Sequence, residues 1–210
     1  ILARFDRLQP EQRRLLQAAS VIGKDFDLPV LAAVLRSNST LELHSLIDSL
    51  IEREFILPNP HAPDTEFTFR HVFMSDAIYA TLLRKEKQSL HGQVAEIIER
   101  MYADRIDEQV EMLANHFRWS ADKDRALHYL LLAGQKSVRN QIYQQAHQYF
   151  DAALGLLDQV EPSDYQVYQS QIGMGEVQLY LGEYPEARRH YQAALSTLEK
   201  KQETRNIAER

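Results

Sequence analysis

The chain has 210 residues, 44% of them hydrophobic and 26% charged, with a formal net charge of −6 and no cysteine. That composition belongs to a folded globular chain rather than a disordered one. It rules out disulfides and thiol nucleophiles, and its acidity opposes nucleic-acid binding unless a local basic patch overrides it.

No apolar run reaches the roughly 18–20 residues that a transmembrane helix needs. The opening ILARFDRLQPEQRR lacks the apolar core of a signal peptide, so an intracellular, cytoplasmic protein with no membrane contact is expected. Ile at position 1 and the helix-like ending KQETRNIAER suggest a cut from a longer polypeptide.

In chain order, Pro10 suits the first turn of a helix, and Leu15, Leu16, Ala19 and Ile22 form its apolar stripe up to Gly23. Asp27 is placed to cap a second helix through Val30, Leu31, Val34 and Leu35, which the polar cluster Arg36, Ser37, Asn38 ends. Ser39 with Glu42 three residues on reads as a capping box for a third helix that buries Leu43, Leu46, Ile47, Leu50 and Ile51. A hairpin then pairs Phe55–Leu57 with Glu66–Arg70 across the proline-rich loop Pro58–Asp64. Three helices followed by a two-stranded wing make the winged form of a helix-turn-helix.

In Phe67–Arg100 the strand period turns into a helical one without a linker. Phe67 and Phe69 alternate with Thr68 and Arg70. Met74, Ile78 and Leu82, then Leu90, Val94, Ile97 and Met101, make two amphipathic helices broken near Arg84, Lys85 and Lys87. A recognition helix on DNA needs cationic or amide side chains facing outward. The third helix instead offers Glu42, His44, Asp48, Glu52, Arg53 and Glu54, which argues against DNA as a partner.

From about Asp107 the pattern is helix after helix, with an internal repeat. Gly134, Tyr143, Ala146, Phe150, Ala153 and Leu154 recur at an offset of 41 as Gly175, Tyr184, Ala187, Tyr191, Ala194 and Leu195. Gly182 fits the turn where Gln141 stands in the earlier copy. The offset reads as a 34-residue unit plus an insertion of seven around Val160–Tyr165. Small residues where two helices cross, with aromatics beside them, resemble the tetratricopeptide repeat. A weaker unit precedes the two, with Val110, Leu113 and Phe117 on one helix and Ala126, Leu130 and Ala133 on the next, so three stacked units are expected. The tetratricopeptide resemblance implies that the first helix of each pair lines a concave groove. This nominates His128, Gln135, Arg139, Gln169, Glu176 and Tyr180 as a surface for a protein or peptide partner.

Other chemistry has little to stand on. There is no H-E-x-x-H, and no histidine pair at the spacing of one helical turn. His91, His128, His147 and His190 read as surface or packing residues. Gly23-Lys24 is followed by Asp25, and Gly134-Gln135-Lys136 also fails the phosphate-loop pattern, so no catalytic residue, metal site or bound cofactor is expected in this chain.

RFDRLQPEQRRLLQAASVIGKDF, then FTFRHVFMSDAIYATLLRKEKQSLHGQVAEII, then the repeats, together resemble the region after the nucleotide-binding domain in the STAND class of signal-transduction ATPases. Similar segments belong to the ATPase and tetratricopeptide halves of bacterial class III adenylyl or guanylyl cyclases and of maltose-regulator-like activators. The resemblance implies a parent protein that binds ATP or ADP. It also implies a winged helix that closes on an upstream nucleotide-binding domain, and a role for His71 as a nucleotide-phosphate sensor once that domain is present. Arg70 and Val72 replace the methionine and aspartate that flank the family's histidine.

The expectation is thus a mainly α chain with a winged-helix module at 1–70, a linking helical pair at 71–106 and tetratricopeptide-like repeats at 107–210 that continue further. The expected role is regulatory and non-catalytic. The alternatives are a tetratricopeptide scaffold capped by the winged helix, and a DNA-binding transcription regulator.

Overall fold

The computed structural model describes residues 2–37, 39–63 and 65–208, and side chains as far as residue 199. Asn38 in the expected stop of the second helix, Asp64 at the expected end of the hairpin loop, and residues 1, 209 and 210 lie outside the described residues. The chain is mainly helical, with a small three-stranded antiparallel sheet. It divides into two compact units. One comprises the described part of Ile1–Asp104 together with Trp119–Ala121, and the other Arg105–Arg118 with the described part of Asp122–Arg210.

The first unit opens with a short α1 (Leu2–Phe5), which the sequence pattern does not announce, and then α2 (Pro10–Ile22). Pro10 occupies the first turn of α2, and the Gln9 N–H donates to Gln12 Oε1 at 3.1 Å. Leu15, Leu16 and Ala19 are fully buried, whereas Ile22 is only half-buried.

The start of α3 (Leu28–Leu35) corrects the expected cap. Asp27 occupies the cap position, but its carboxylate makes no bond to the helix and accepts the Tyr102 hydroxyl at 2.8 Å instead. The Leu28 N–H is already donated to the Thr65 carbonyl at 2.8 Å, and Pro29 has no N–H to offer, so Pro29 itself sets the helix start. Arg36 ends α3 in the left-handed conformation, with φ 53°.

In α4 (Thr40–Glu52), Ser39 Oγ accepts the Glu42 N–H at 3.2 Å. Among the described residues Glu42 does not return the bond, so only half of the expected capping box forms. Leu43, Ile47 and Leu50 are buried, while Leu46 and Ile51 are half-buried at the margins of the stripe. Glu42, Asp48 and Glu52 are exposed as expected. His44 is half-buried, and Arg53 and Glu54 lie past the helix end.

The expected hairpin forms one residue later on its first arm. β2 (Ile56–Pro58) pairs with β3 (Glu66–Phe69) in the register Ile56 opposite Phe69 and Pro58 opposite Phe67. β1 (Asp25–Asp27) adds a third strand on the other edge of β3, with Phe26 opposite Phe67. Three residues with a single apolar member carry no legible alternation, so the sheet, expected with two strands, has three. Phe26 lies 6.0 Å from Phe67 and 5.7 Å from Phe69, ring centre to ring centre, and all three are buried. Burying side chains of this size contributes roughly 1.5–3 kcal/mol each.

α5 (Val72–Ala80) and α6 (Arg84–Met101) belong to this same unit. Met74, Ile78 and Leu82 are buried as their spacing implies. In α6 the buried stripe runs through Val94, Ile97 and Ile98, and Met101 is 43% exposed, because the stripe ends one turn earlier than expected. The basic residues Arg84, Lys85 and Lys87 fall inside the first turns of α6, after the break at 81–83. The positive end of a helix disfavours them there, and Glu86 offsets this by accepting the Leu83 N–H at 2.8 Å.

The second unit contains α7 (Ile106–Trp119) apart from its last residue, Trp119, together with α8 (Lys123–Arg139), α9 (Tyr143–Leu154), α10 (Asp164–Leu181) and α11 (Tyr184–Ala208). Helix starts and stops recur at the offset of the sequence repeat. Asp122 Oδ1 accepts the Arg125 N–H at 2.9 Å to start α8, and Ser163 Oγ accepts the Gln166 N–H at 3.3 Å to start α10. Gln141 with φ 60° and Gly182 with φ 82° occupy the turns after these helices.

Two expectations change here. Asp164 and Tyr165 are helical, so the long connection is 155–163 rather than an insertion reaching Tyr165. The weaker early unit shares α8 with the first strong copy, so the described helices make α7 followed by two helical pairs rather than three separate pairs. α7 packs on α8 through Phe117 stacked 5.3 Å from Tyr129 and Lys136 Nζ 2.7 Å from Glu111 Oε2.

Candidate functional site

The packing of the second unit turns on rings laid against glycines. A Cβ on Gly134 would stand 2.8 Å from the Phe150 ring, one on Gly173 2.3 Å from the same ring, and one on Gly175 2.9 Å from Tyr191. α8 and α10 each meet the following helix at a glycine, and α10 also closes over Phe150 from the other side. The result is a cavity of about 410 Å³ between α8 and α10, with Phe150 and Gly173 as its floor.

Four of the six nominated residues line it. Gln135 and Arg139 come from α8, Gln169 and Glu176 from α10. Gln135 Nε2 donates to Gln169 Oε1, and Gln169 Nε2 donates to the Tyr165 hydroxyl oxygen at 2.8 Å. Arg139 and Glu176 face the same cavity, and among the described residues neither makes an ion pair. A cation, an acid and a row of amides around an apolar floor can hold an extended backbone and one anchoring side chain.

The other two residues lie elsewhere. Tyr180 is stacked on Tyr143 with ring centres 4.4 Å apart and is outside the cavity's lining. Burial first, then Tyr180 and Glu176, raise the Tyr143 phenol above its ordinary value of 10.0, and burial followed by Glu176 does the same to Tyr191. His128 is exposed with its ring edge on Tyr129 at 5.0 Å. It sits eleven residues before Arg139, about 16 Å along the helix axis.

Tyr165, Val138 and Ile172 also line the cavity and were not anticipated. The S-x-x-Q pattern of Ser163 and Gln166 is a capping-box signal that would have placed Tyr165 on the helix.

In the first unit, His71 holds the cap position of α5 with an exposed ring, and its side chain makes no cap hydrogen bond. It therefore neither fills the core beside Phe67 and Phe69 nor closes the helix end. Phe73, two residues on, is 77% exposed. Among the described residues no group of three His, Cys, Asp or Glu side chains is placed to hold a metal ion, and no described helix is long and apolar enough to cross a membrane.

No family model matches the chain, and no solved structure matches it. An uncharacterized protein of Rhizobium meliloti (strain 1021) is 30% identical to it over 154 residues, which are 72% of this chain and 15% of that protein. The chain thus spans less than a sixth of the length of the relative it matches.

Proposed function

We propose that this chain is a regulatory, non-catalytic part of a multidomain signal-transduction ATPase or nucleotide cyclase, and that the cavity between α8 and α10 receives a segment of a protein or peptide partner. The observation that carries the reading is the coincidence of the 41-residue sequence repeat with recurring caps, turns and glycine-on-ring contacts. Tetratricopeptide units have this construction, and in them the first helices of successive pairs line the binding groove. α8 and α10 hold that position here.

On the same reading, residues 1–70 form a winged helix that closes on a nucleotide-binding domain of the parent protein. The exposed His71 then reaches a phosphate of ADP or ATP held by that domain. Exposed Glu42, Asp48 and Glu52 on α4 repel phosphate and disfavour DNA as a partner of this module. Binding of duplex DNA at low salt, where the electrostatic term is largest, would overturn that part.

The test of the groove is affinity capture with the whole chain, followed by titration of the captured partner. Arg139→Ala and Glu176→Ala are expected to weaken binding at least tenfold, and Gln144→Ala and Gln192→Ala, exposed on α9 and α11, to leave it unchanged. The reverse pattern would place the partner on the second helices and overturn the proposal.

A further inference from the structure

A second cavity lies wholly within the first unit and has no part in the reading above. It measures about 470 Å³ and is bounded by α2, α3, the turn before α6, and α6. Ala18, Val34 and Leu82 form a floor that is itself buried. Leu35 and Leu90 continue the apolar wall, and at the mouth stand Arg14 and Lys85. Both cations are exposed, and among the described residues neither makes an ion pair. The acid at the mouth, Glu86, has a carboxylate oxygen committed to the Leu83 N–H at 2.8 Å. Gln17, also on the rim, donates to Thr81 Oγ1 at 3.2 Å.

We propose that this cavity binds a linear amphiphile with a single carboxylate, its apolar tail on Ala18, Val34, Leu35, Leu82 and Leu90 and its head between Arg14 and Lys85. Volume, lining and charge all point to this class. Ligand sites are typically about 300–1,000 Å³, mostly apolar, with a few polar groups that fix orientation. An apolar recess of this size takes a medium-length hydrocarbon chain, and two unpaired cations at its mouth select an anionic head over a neutral or cationic one.

The test is calorimetric titration of the whole chain with sodium dodecanoate below its aggregation concentration. Saturable one-to-one binding is expected. The double substitution Arg14→Gln with Lys85→Gln alters two exposed side chains and leaves the floor intact; it is expected to weaken binding at least tenfold. Ser89→Trp, at the exposed rim, is expected to fill the mouth and abolish binding while thermal unfolding stays as in the unsubstituted chain. Decyltrimethylammonium should not compete. Absence of saturable binding, unchanged affinity in the double variant, or equal binding of the cationic amphiphile would each overturn the proposal. Should Ser89→Trp prevent folding, the double variant still decides.

Discussion

Phe150 lies so close to Gly173 that a single added methyl group would stand 2.3 Å from its ring. The ring cannot swing away easily, because it is 1% exposed and Gly134 holds its other side. Alanine in place of a helical glycine normally gains about 1 kcal/mol, whereas overpacking a tight core costs roughly 1–3 kcal/mol. Gly173→Ala is therefore expected to destabilise the second unit. Gly92→Ala is the internal contrast: its nearest neighbour would be Ser120 Cβ at 3.6 Å, ordinary contact, so propensity alone decides and the first unit should gain stability. Thermal melts in which Gly173→Ala gains stability as Gly92→Ala does would show that the ring does not limit the Gly173 site.

Ala153 and Ala194 occupy corresponding positions in α9 and α11 and are 0% and 1% exposed. Glutamate at either would put an unpaired charge into a helix crossing. Breaking the balance of buried charge costs several kcal/mol, comparable with the roughly 5–15 kcal/mol stability of a whole domain. Both Ala153→Glu and Ala194→Glu should lower the unfolding midpoint sharply. An unchanged midpoint in both would mean that the repeat register is wrong.

The sequence was most informative where one periodic signal dominated. The helical stripe of Leu15, Leu16 and Ala19 and the alternation of Phe67 and Phe69 both emerge at the expected places, because apolar spacing directly encodes which face is buried. The sheet's third strand escaped because Asp25–Asp27 has only Phe26 to declare it, and its partner β3 lies about forty residues on. The Asp27 cap failed because Pro29, at one of the two positions a cap side chain bonds, has no N–H, and because a tertiary contact with the Tyr102 hydroxyl claimed the carboxylate. In the cavity, the α8 and α10 register placed Gln135, Arg139, Gln169 and Glu176 together. Helical phase alone could not show that His128 lies too far along its helix, or that Tyr180 would stack on Tyr143.

The matching caps give a prediction in parallel. Asp122 and Ser163 each satisfy an N–H three residues on, and removing such a cap costs about 0.5–2 kcal/mol. Asp122 also holds the Arg125 side chain, with Oδ2 accepting Nε at 2.7 Å, and its hydrogen bonds and charge contact with Arg125 hold its carboxyl below the usual range despite the opposing effect of burial. Asp122→Ala is therefore expected to cost more than Ser163→Ala. Chemical denaturation at neutral pH is the measurement, and a smaller loss for Asp122→Ala would mean that the Arg125 contacts contribute nothing to stability.

His91 makes the first unit sensitive to acid. Its ring is 7% exposed and its Nε2 lies 3.0 Å from the Tyr79 hydroxyl, which keeps its own proton because burial raises its pKa. The phenol can donate to a neutral imidazole, but a protonated ring offers it no acceptor. Burial, and then the Lys87 ammonium one turn earlier on α6, lower the His91 pKa from 6.5 to about 4. Lys87 is held there over the Tyr79 ring, 4.4 Å from its centre. The sign follows from linkage: between these two values the unfolded chain binds a proton that the folded one refuses. The stabilisation is complete above about pH 6.5 and is lost as pH falls towards 4. At 1.36 kcal/mol per pKa unit it amounts to about 3 kcal/mol at most, and the remaining solvent access reduces it. Carboxylates titrate in part of the same range, so the informative quantity is the difference between the chain and His91→Gln, which cannot titrate. Urea unfolding at pH 7.5 and 4.5 should show the unsubstituted chain losing more stability than the variant. Equal losses would mean that His91 charges as easily in the folded state as in the unfolded one.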